Sequence, residues 1–233
     1  MELFQALVNG MAWLLNWLYN LTATIGVPNY GLAIILLTVL IKMAMYPLSH
    51  KQMRSMLAMQ QLQPKIKEIQ DKYKAKDPQK MQQMIMEMYK EHNVNPMAGC
   101  LPLLVQMPIL IALYRALFDF PFVNEGHASF LWVKNLSIID RSDPAFYILP
   151  LLAGITTYIQ SKMTMSTADP TQKMMLYTMP VFIAYIAYTV QPGLALYWVV
   201  FNVVGSLQQY LINKSTASIR EGIADGKSSG KNR

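Results

Sequence analysis

Lys42 is the residue whose type and place most demand an explanation. It stands inside the apolar run GLAIILLTVLIKMAMYPL, residues 31–48. A charge within such a segment is costly and normally faces a polar cavity or a partner. Thr38 lies one turn earlier on the same face. None of the chain's long apolar segments holds an Asp or Glu, so no salt-bridge partner for Lys42 is apparent. An ammonium without a carboxylate attracts anions rather than relaying protons. Two placements are open. Lys42 either snorkels to headgroups about two turns away or borders a water-filled groove. Gln106, Gln160, Asn202, Gln208 and Gln209 also fall within or at the ends of apolar segments. Interhelical hydrogen bonds, worth about 0.6–2 kcal/mol each, are the usual role of such groups. Together with Lys42 they favour the groove. Arg115 lies near a segment end, where snorkelling accounts for it.

Other chemistries find no support. The H-E-x-x-H and G-x-S-x-G patterns are missing. Gly226-Lys227-Ser228 resembles the end of a phosphate loop, but Glu221 occupies the place of the loop's first glycine. Cys100 is the single cysteine, so no intramolecular disulfide can form. Three scattered histidines with that cysteine make no metal site. We expect no catalytic residue, no metal and no cofactor.

The elements that must position these groups follow from composition. Of 233 residues, 53% are hydrophobic and 14% charged, against about 25% charged in soluble domains. The deficit indicates an integral membrane protein. Residues 1–28 hold Glu2 and no Lys or Arg, which makes a poor secretory signal. Leu3, Leu7, Met11, Leu14, Leu15 and Leu18 recur at helical spacing, and Trp13, Trp17 and Tyr19 suit a membrane interface. This predicts an amphipathic helix lying on the bilayer, with a sixth span as the competing reading. The first span is expected at 29–48. Residues 49–95 then carry nine Lys/Arg, five Asp/Glu and seven of the eighteen methionines. Asp77-Pro78 reads as an N-cap followed by a first-turn proline, so two helices, 49–75 and 77–92, should fold back as a hairpin, with Pro64 kinking the first. Further spans are expected at 97–118, 145–163, 174–190 and 193–213. Residues 119–144 and 164–173 connect them, and the last two spans form a tight hairpin. The basic tail, 214–233, reads as disordered. The fold class is thus all-α, with five transmembrane helices, an interfacial N-terminal helix and a helical hairpin.

Charge fixes the expected topology. The 49–95 segment has nine basic residues and the tail five, whereas 119–144 has two basic and four acidic. The positive-inside rule puts the hairpin and tail in the cytoplasm and 119–144 outside. Five spans then place the N-terminus outside, where its lack of Lys and Arg agrees.

Five segments, taken in order, resemble the YidC/Oxa/Alb insertase family. They are IKMAMYPLSHKQMRSMLAMQQLQPKIKEIQDKYK (41–74), NPMAGCLPLLVQMPILIALYRALF (95–118), YILPLLAGITTYIQSKM (147–163), DPTQKMMLYTMPVF (169–182) and PGLALYWVVFNVVGSLQQYLI (192–212). The resemblance implies a five-helix core around a groove open to cytoplasm and lipid but closed outside. Lys42 falls where the family has an arginine, which keeps the charge but loses the planar fork. The matching companions are Thr38, Tyr197 and Trp198, with Gln106 and Gln160 as groove neighbours. The chain looks like the shorter form found in Gram-positive bacteria. It also departs from that form, since the lipoprotein signal that often begins it is missing.

What the resemblance implies is a bacterial plasma-membrane protein that inserts and folds newly made membrane proteins, not an enzyme. Its partners would be nascent membrane proteins and the lipid bilayer, with the Sec translocon, the ribosome and the signal recognition particle pathway as further candidates, and no DNA. Methionine is flexible and suits surfaces that accept varied partners. Met53, Met56, Met81, Met84 and Met88 are therefore expected to capture apolar segments, although packing is the usual role of such residues. Two other classes stay open. A secondary transporter would show repeats and paired charges, and neither is visible. A copper-handling protein would use the thioethers.

Overall fold

The computed structural model describes residues 2–73, 76–92, 101–120, 122, 124–164 and 170–229. Eight α-helices form among them: α1 (Glu2–Thr24), α2 (Tyr30–Ala44), α3 (Tyr46–Tyr73), α4 (Pro78–Glu91), α5 (Leu101–Phe118), α6 (Ile148–Thr164), α7 (Pro170–Thr189) and α8 (Pro192–Ser229). Helices α2, α5, α6, α7 and α8 make the bundle, α1 packs on α5 and α2, and α3 and α4 pack on each other.

The first apolar segment does not stay helical from 29 to 48 as expected. It is capped by Asn29, whose side chain accepts from the Leu32 amide, and it ends at Ala44. The axis then turns by 62° into the start of α3. Pro47 explains the break. It has no N–H to offer, and its ring would collide with the carbonyl of residue 43 if the helix ran straight. Within the first turn of a new helix the same proline is tolerated. Pro64, by contrast, stands inside α3, which remains one helix across it.

Among the described residues, Pro192–Lys214 alone is long and apolar enough by itself to cross a bilayer. The bent pair Tyr30–Ala44 and Tyr46–Met53 passes the same test taken together, and Leu104–Phe118 is apolar but shorter. Helix α8 also runs past its expected end at 213. It is continuous to Ser229, and 230–233 lie outside the described residues.

Asp77 accepts from the Lys80 amide at 3.0 Å and Pro78 occupies the first turn of α4, as the sequence indicated. The hairpin has a small core of its own, Met59, Leu62, Ile66 and Tyr89, with Ile85 and Met88 against it.

Segment 119–144 is not a loose connector. Ala128, Val133 and Leu136 are buried in the main core. A tight turn joins Phe130 to Val133 by reciprocal backbone bonds of 2.8 and 2.9 Å. The Leu136 carbonyl accepts from the Gly193 amide at 2.9 Å, which fixes the segment to the start of α8. Phe130 lies so close to Gly31 that a Cβ there would overlap its ring, which fixes it to the start of α2 as well. At the same end Tyr19 stacks on Tyr30 at 4.1 Å, and Phe120 and Phe122 meet Tyr30 edge-on. The Tyr19 hydroxyl lies 2.8 Å from His127 Nδ1 and accepts from Asn124 at 3.2 Å.

Candidate functional site

Three helices begin at the end closed by segment 119–144: α2, α6 and α8. Lys42 and Gln160 each stand twelve residues past the start of their helix, and Gly205 stands thirteen past the start of α8. At 1.5 Å per residue all three lie roughly 18–20 Å from that end. They meet. A Cβ built on Gly205 would stand 2.9 Å from Lys42 Nζ and 2.6 Å from Gln160 Nε2. Lys42 is only 5% exposed, and its ammonium sits 3.3 Å above the centroid of the Phe201 ring. No described carboxylate pairs with it, since the one ion pair there joins Lys134 to Asp143. Its place in the last turn of α2 puts the charge beside the helix's negative pole.

Around this cation α8 carries a stripe of polar or small residues, Asn202, Gly205 and Gln209, at one-turn spacing. The Asn202 amide donates to Thr157 and Thr156 of α6 at 2.8 and 3.2 Å. Gln209 donates to Asn213 at 2.8 Å. Gln106 of α5 donates to the Tyr197 hydroxyl at 2.7 Å, which joins α5 to α8. Four buried amide atoms have no hydrogen-bond partner among the protein atoms: Gln52 Nε2 and the Oε1 atoms of Gln106, Gln208 and Gln209. This arrangement can hold and release an anion.

The residues singled out from sequence therefore fall into two groups. Lys42 and Gln160 converge directly, and Gln106 and Tyr197 form a bonded pair. Thr38 is fully buried one turn above Lys42, but its hydroxyl donates back to the Ile34 carbonyl at 2.6 Å. Trp198 is half-buried against the core. Of the methionines, Met53 is buried and Met88 packs inside the hairpin's own core, while Met81 and Met84 are half-buried. The Met56 side chain lies outside the described residues. Phe201 and Gly205 were not singled out, because an aromatic and a glycine in an apolar helix read as packing. Their spacing of four from each other, and of three from Trp198 and Asn202 respectively, was the available signal.

The fold and site together define an all-helical protein with apolar segments of membrane-spanning character, a polar seam and, among the described residues, a buried cation without a carboxylate partner. The comparisons place it in a membrane-protein family. A family model described as 60Kd inner membrane protein matches residues 20–219. A membrane protein insertase YidC of Geobacter sulfurreducens is 42% identical over 216 residues, 92% of this chain and 38% of its own length. A membrane protein insertase YidC 1 of Halalkalibacterium halodurans is 42% identical over 220 residues, 93% of this chain and 82% of its own. Among solved structures, an active YidC insertase with its first transmembrane domain resolved superposes with a TM-score of 0.70 at 30% identity, over 89% of this chain and 46% of that one. The chain belongs to the YidC/Oxa/Alb insertase family. It spans 38% of the length of the Geobacter sulfurreducens relative, and 35% of that of a membrane protein insertase YidC of Geobacter metallireducens to which it is 46% identical.

Proposed function

We propose that this chain is a multi-pass insertase of the bacterial plasma membrane, which moves newly made membrane proteins into the bilayer through a hydrophilic groove. The observation that carries the reading is Lys42, a buried cation with no carboxylate partner among the described residues, which meets the Gln160 amide of α6 at Gly205 of α8.

Moving a polar segment through lipid is opposed by the loss of hydration of its charges and backbone. A wet groove reaching partway across shortens the dry path. The four unpartnered amide atoms support such hydration, because each has a hydrogen bond left to offer water. Lys42 attracts acidic residues of the segment to be exported, more strongly in a low-dielectric surround than in water. The client's apolar helix then slides along the lipid-facing edge of α6 and α8, and burial of about 20 apolar residues makes its release favourable without ATP. Exposed Leu151, Ile155 and Ile159 on α6, with Val203, Leu207 and Tyr210 on α8, suit that edge.

In this reading α2, α5, α6, α7 and α8 are the five spans, α1 lies at the outer interface, and the hairpin and C-terminus are cytoplasmic. The basic hairpin meets the incoming chain first. Met81, Met84 and Met53 adapt to its apolar sequence, and Thr38, Trp198 and Tyr197 line the groove with Gln106 and Gln160. Clients arrive from the ribosome, through the signal recognition particle pathway or beside the Sec translocon.

The test is insertion into liposomes that contain only this purified chain, read by protease protection of a single-span client with a short acidic outer segment. Wild type and Lys42→Arg should protect the client, and Lys42→Leu should lose at least about tenfold, the equivalent of roughly 1.4 kcal/mol. Equal protection by Lys42→Leu would remove the groove-charge mechanism. No protection above empty liposomes would remove the insertase reading for the chain acting alone.

A further inference from the structure

Lys42 is held by something other than an ion. From its own helix it faces Thr38, whose hydroxyl is already committed to the Ile34 carbonyl. From α6 it meets the Gln160 amide, and from α8 the face of Phe201 and the bare Cα of Gly205. An ammonium 3.3 Å above a ring centroid is well inside the range of a cation–π contact, which runs to about 6 Å. The approach depends on Gly205, because a Cβ there would stand only 2.9 Å from Nζ and 2.6 Å from the Gln160 amide. Both α8 residues are needed: one supplies the negative face, and the other supplies the room for the ammonium to reach it.

We propose that Phe201 and Gly205 are positioning residues that seat the Lys42 ammonium against α8 until an acidic segment displaces it. The proposal deepens the insertase reading above and rests on it for the identity of the displacing group. A resident carboxylate would serve badly in this position. A buried ion pair is strongly disfavoured from opening once formed, because separation leaves both charges uncompensated. An aromatic face holds the cation more weakly and carries no charge of its own. The ammonium can therefore leave it for a client carboxylate and return when the client moves on. A lone buried cation is thus kept both tolerable and available.

The seat can be read without any insertion assay. The full chain in liposomes is treated with an amine-reactive ester, and modification of Lys42 is followed by peptide mass spectrometry. Exposed Lys134 is the internal reference. Phe201→Leu should speed modification of Lys42 by about 3- to 30-fold, the range from an exposed to a desolvated cation–π contact, and Gly205→Ala should speed it in the same direction. A series of ring-fluorinated phenylalanines at 201 keeps the shape while draining the negative face, so the rate should climb stepwise with fluorination. A flat fluorination series would overturn the proposal, even if Phe201→Leu were faster, because the ring would then be acting as packing alone. A stepwise series in a chain that inserts no client would leave the seat standing and remove the insertase reading. Normal insertion with a flat series would do the reverse.

Discussion

Asn202 shows how single side chains hold this bundle together. Its amide joins α8 to both threonine hydroxyls of α6, at 2.8 and 3.2 Å. Asn202→Leu should lower stability by about 1 kcal/mol, since hydrogen bonds between membrane helices are worth about that much or less. Unfolding in a denaturing-detergent titration would measure it. In segment 119–144, exposed Lys134 and the largely covered Asp143 form an ion pair at 3.0 Å. The hydrogen bond from Lys134, then that from the Ala145 amide, holds the Asp143 carboxyl below its ordinary 3.8. The same bond raises Lys134 above 10.5. A lowered carboxylate contributes above its unfolded value and loses that contribution as pH falls through the folded one. A raised ammonium contributes below its unfolded value and loses it as pH rises through the folded one. The loop's thermal stability should therefore be flat between about pH 5 and 9 and fall only in strong acid or base. Asp143→Asn should flatten the acid limb of a melting profile. At this scale Lys42 was legible because a charge in an apolar run is conspicuous. Phe201 and Gly205 were not, because their role exists only where three helices cross at one depth.

Pro47 sets the relation between bundle and hairpin. With alanine there, α2 and α3 can merge, and the 62° turn should open. Spin-label distances between α3 and α6 would lengthen if the turn opens and stay fixed if packing alone sets it. Asp77 makes the second element-level test. Its carboxylate caps α4 through the Lys80 amide. Loss of such a cap costs about 1 kcal/mol, so Asp77→Ala should speed hydrogen exchange in the first turn of α4 about fivefold. The cap and both hairpin helices were readable, because Asp-Pro at a helix start is a local signal. The early end of α2 was harder. Tyr46, Pro47 and Leu48 continue the apolar run, so hydropathy ran through a break that backbone sterics impose.

Taken whole, the molecule is unequal at its two ends. One end gathers the buried cation, the polar stripe of α8 and the basic hairpin. The other is stoppered by Tyr19, Tyr30, Phe120 and Phe122, with segment 119–144 bonded to the starts of α2 and α8. Charge counts alone pointed to that polarity, since basic residues cluster in 49–95 and in the tail. They said nothing of how tightly the stoppered end is shut, which depends on Tyr30 stacking on Tyr19 and meeting Phe120 and Phe122, far along the sequence, edge-on. That closure has an electrical meaning. An aromatic stopper of this kind makes the bundle an insulator, however much water enters the groove proposed at the other end. Vesicles carrying it should hold a potassium diffusion potential as long as empty ones do, and Tyr30→Ala should make a voltage-sensitive dye decay faster. A cell could then keep many copies in its energised membrane without short-circuiting it.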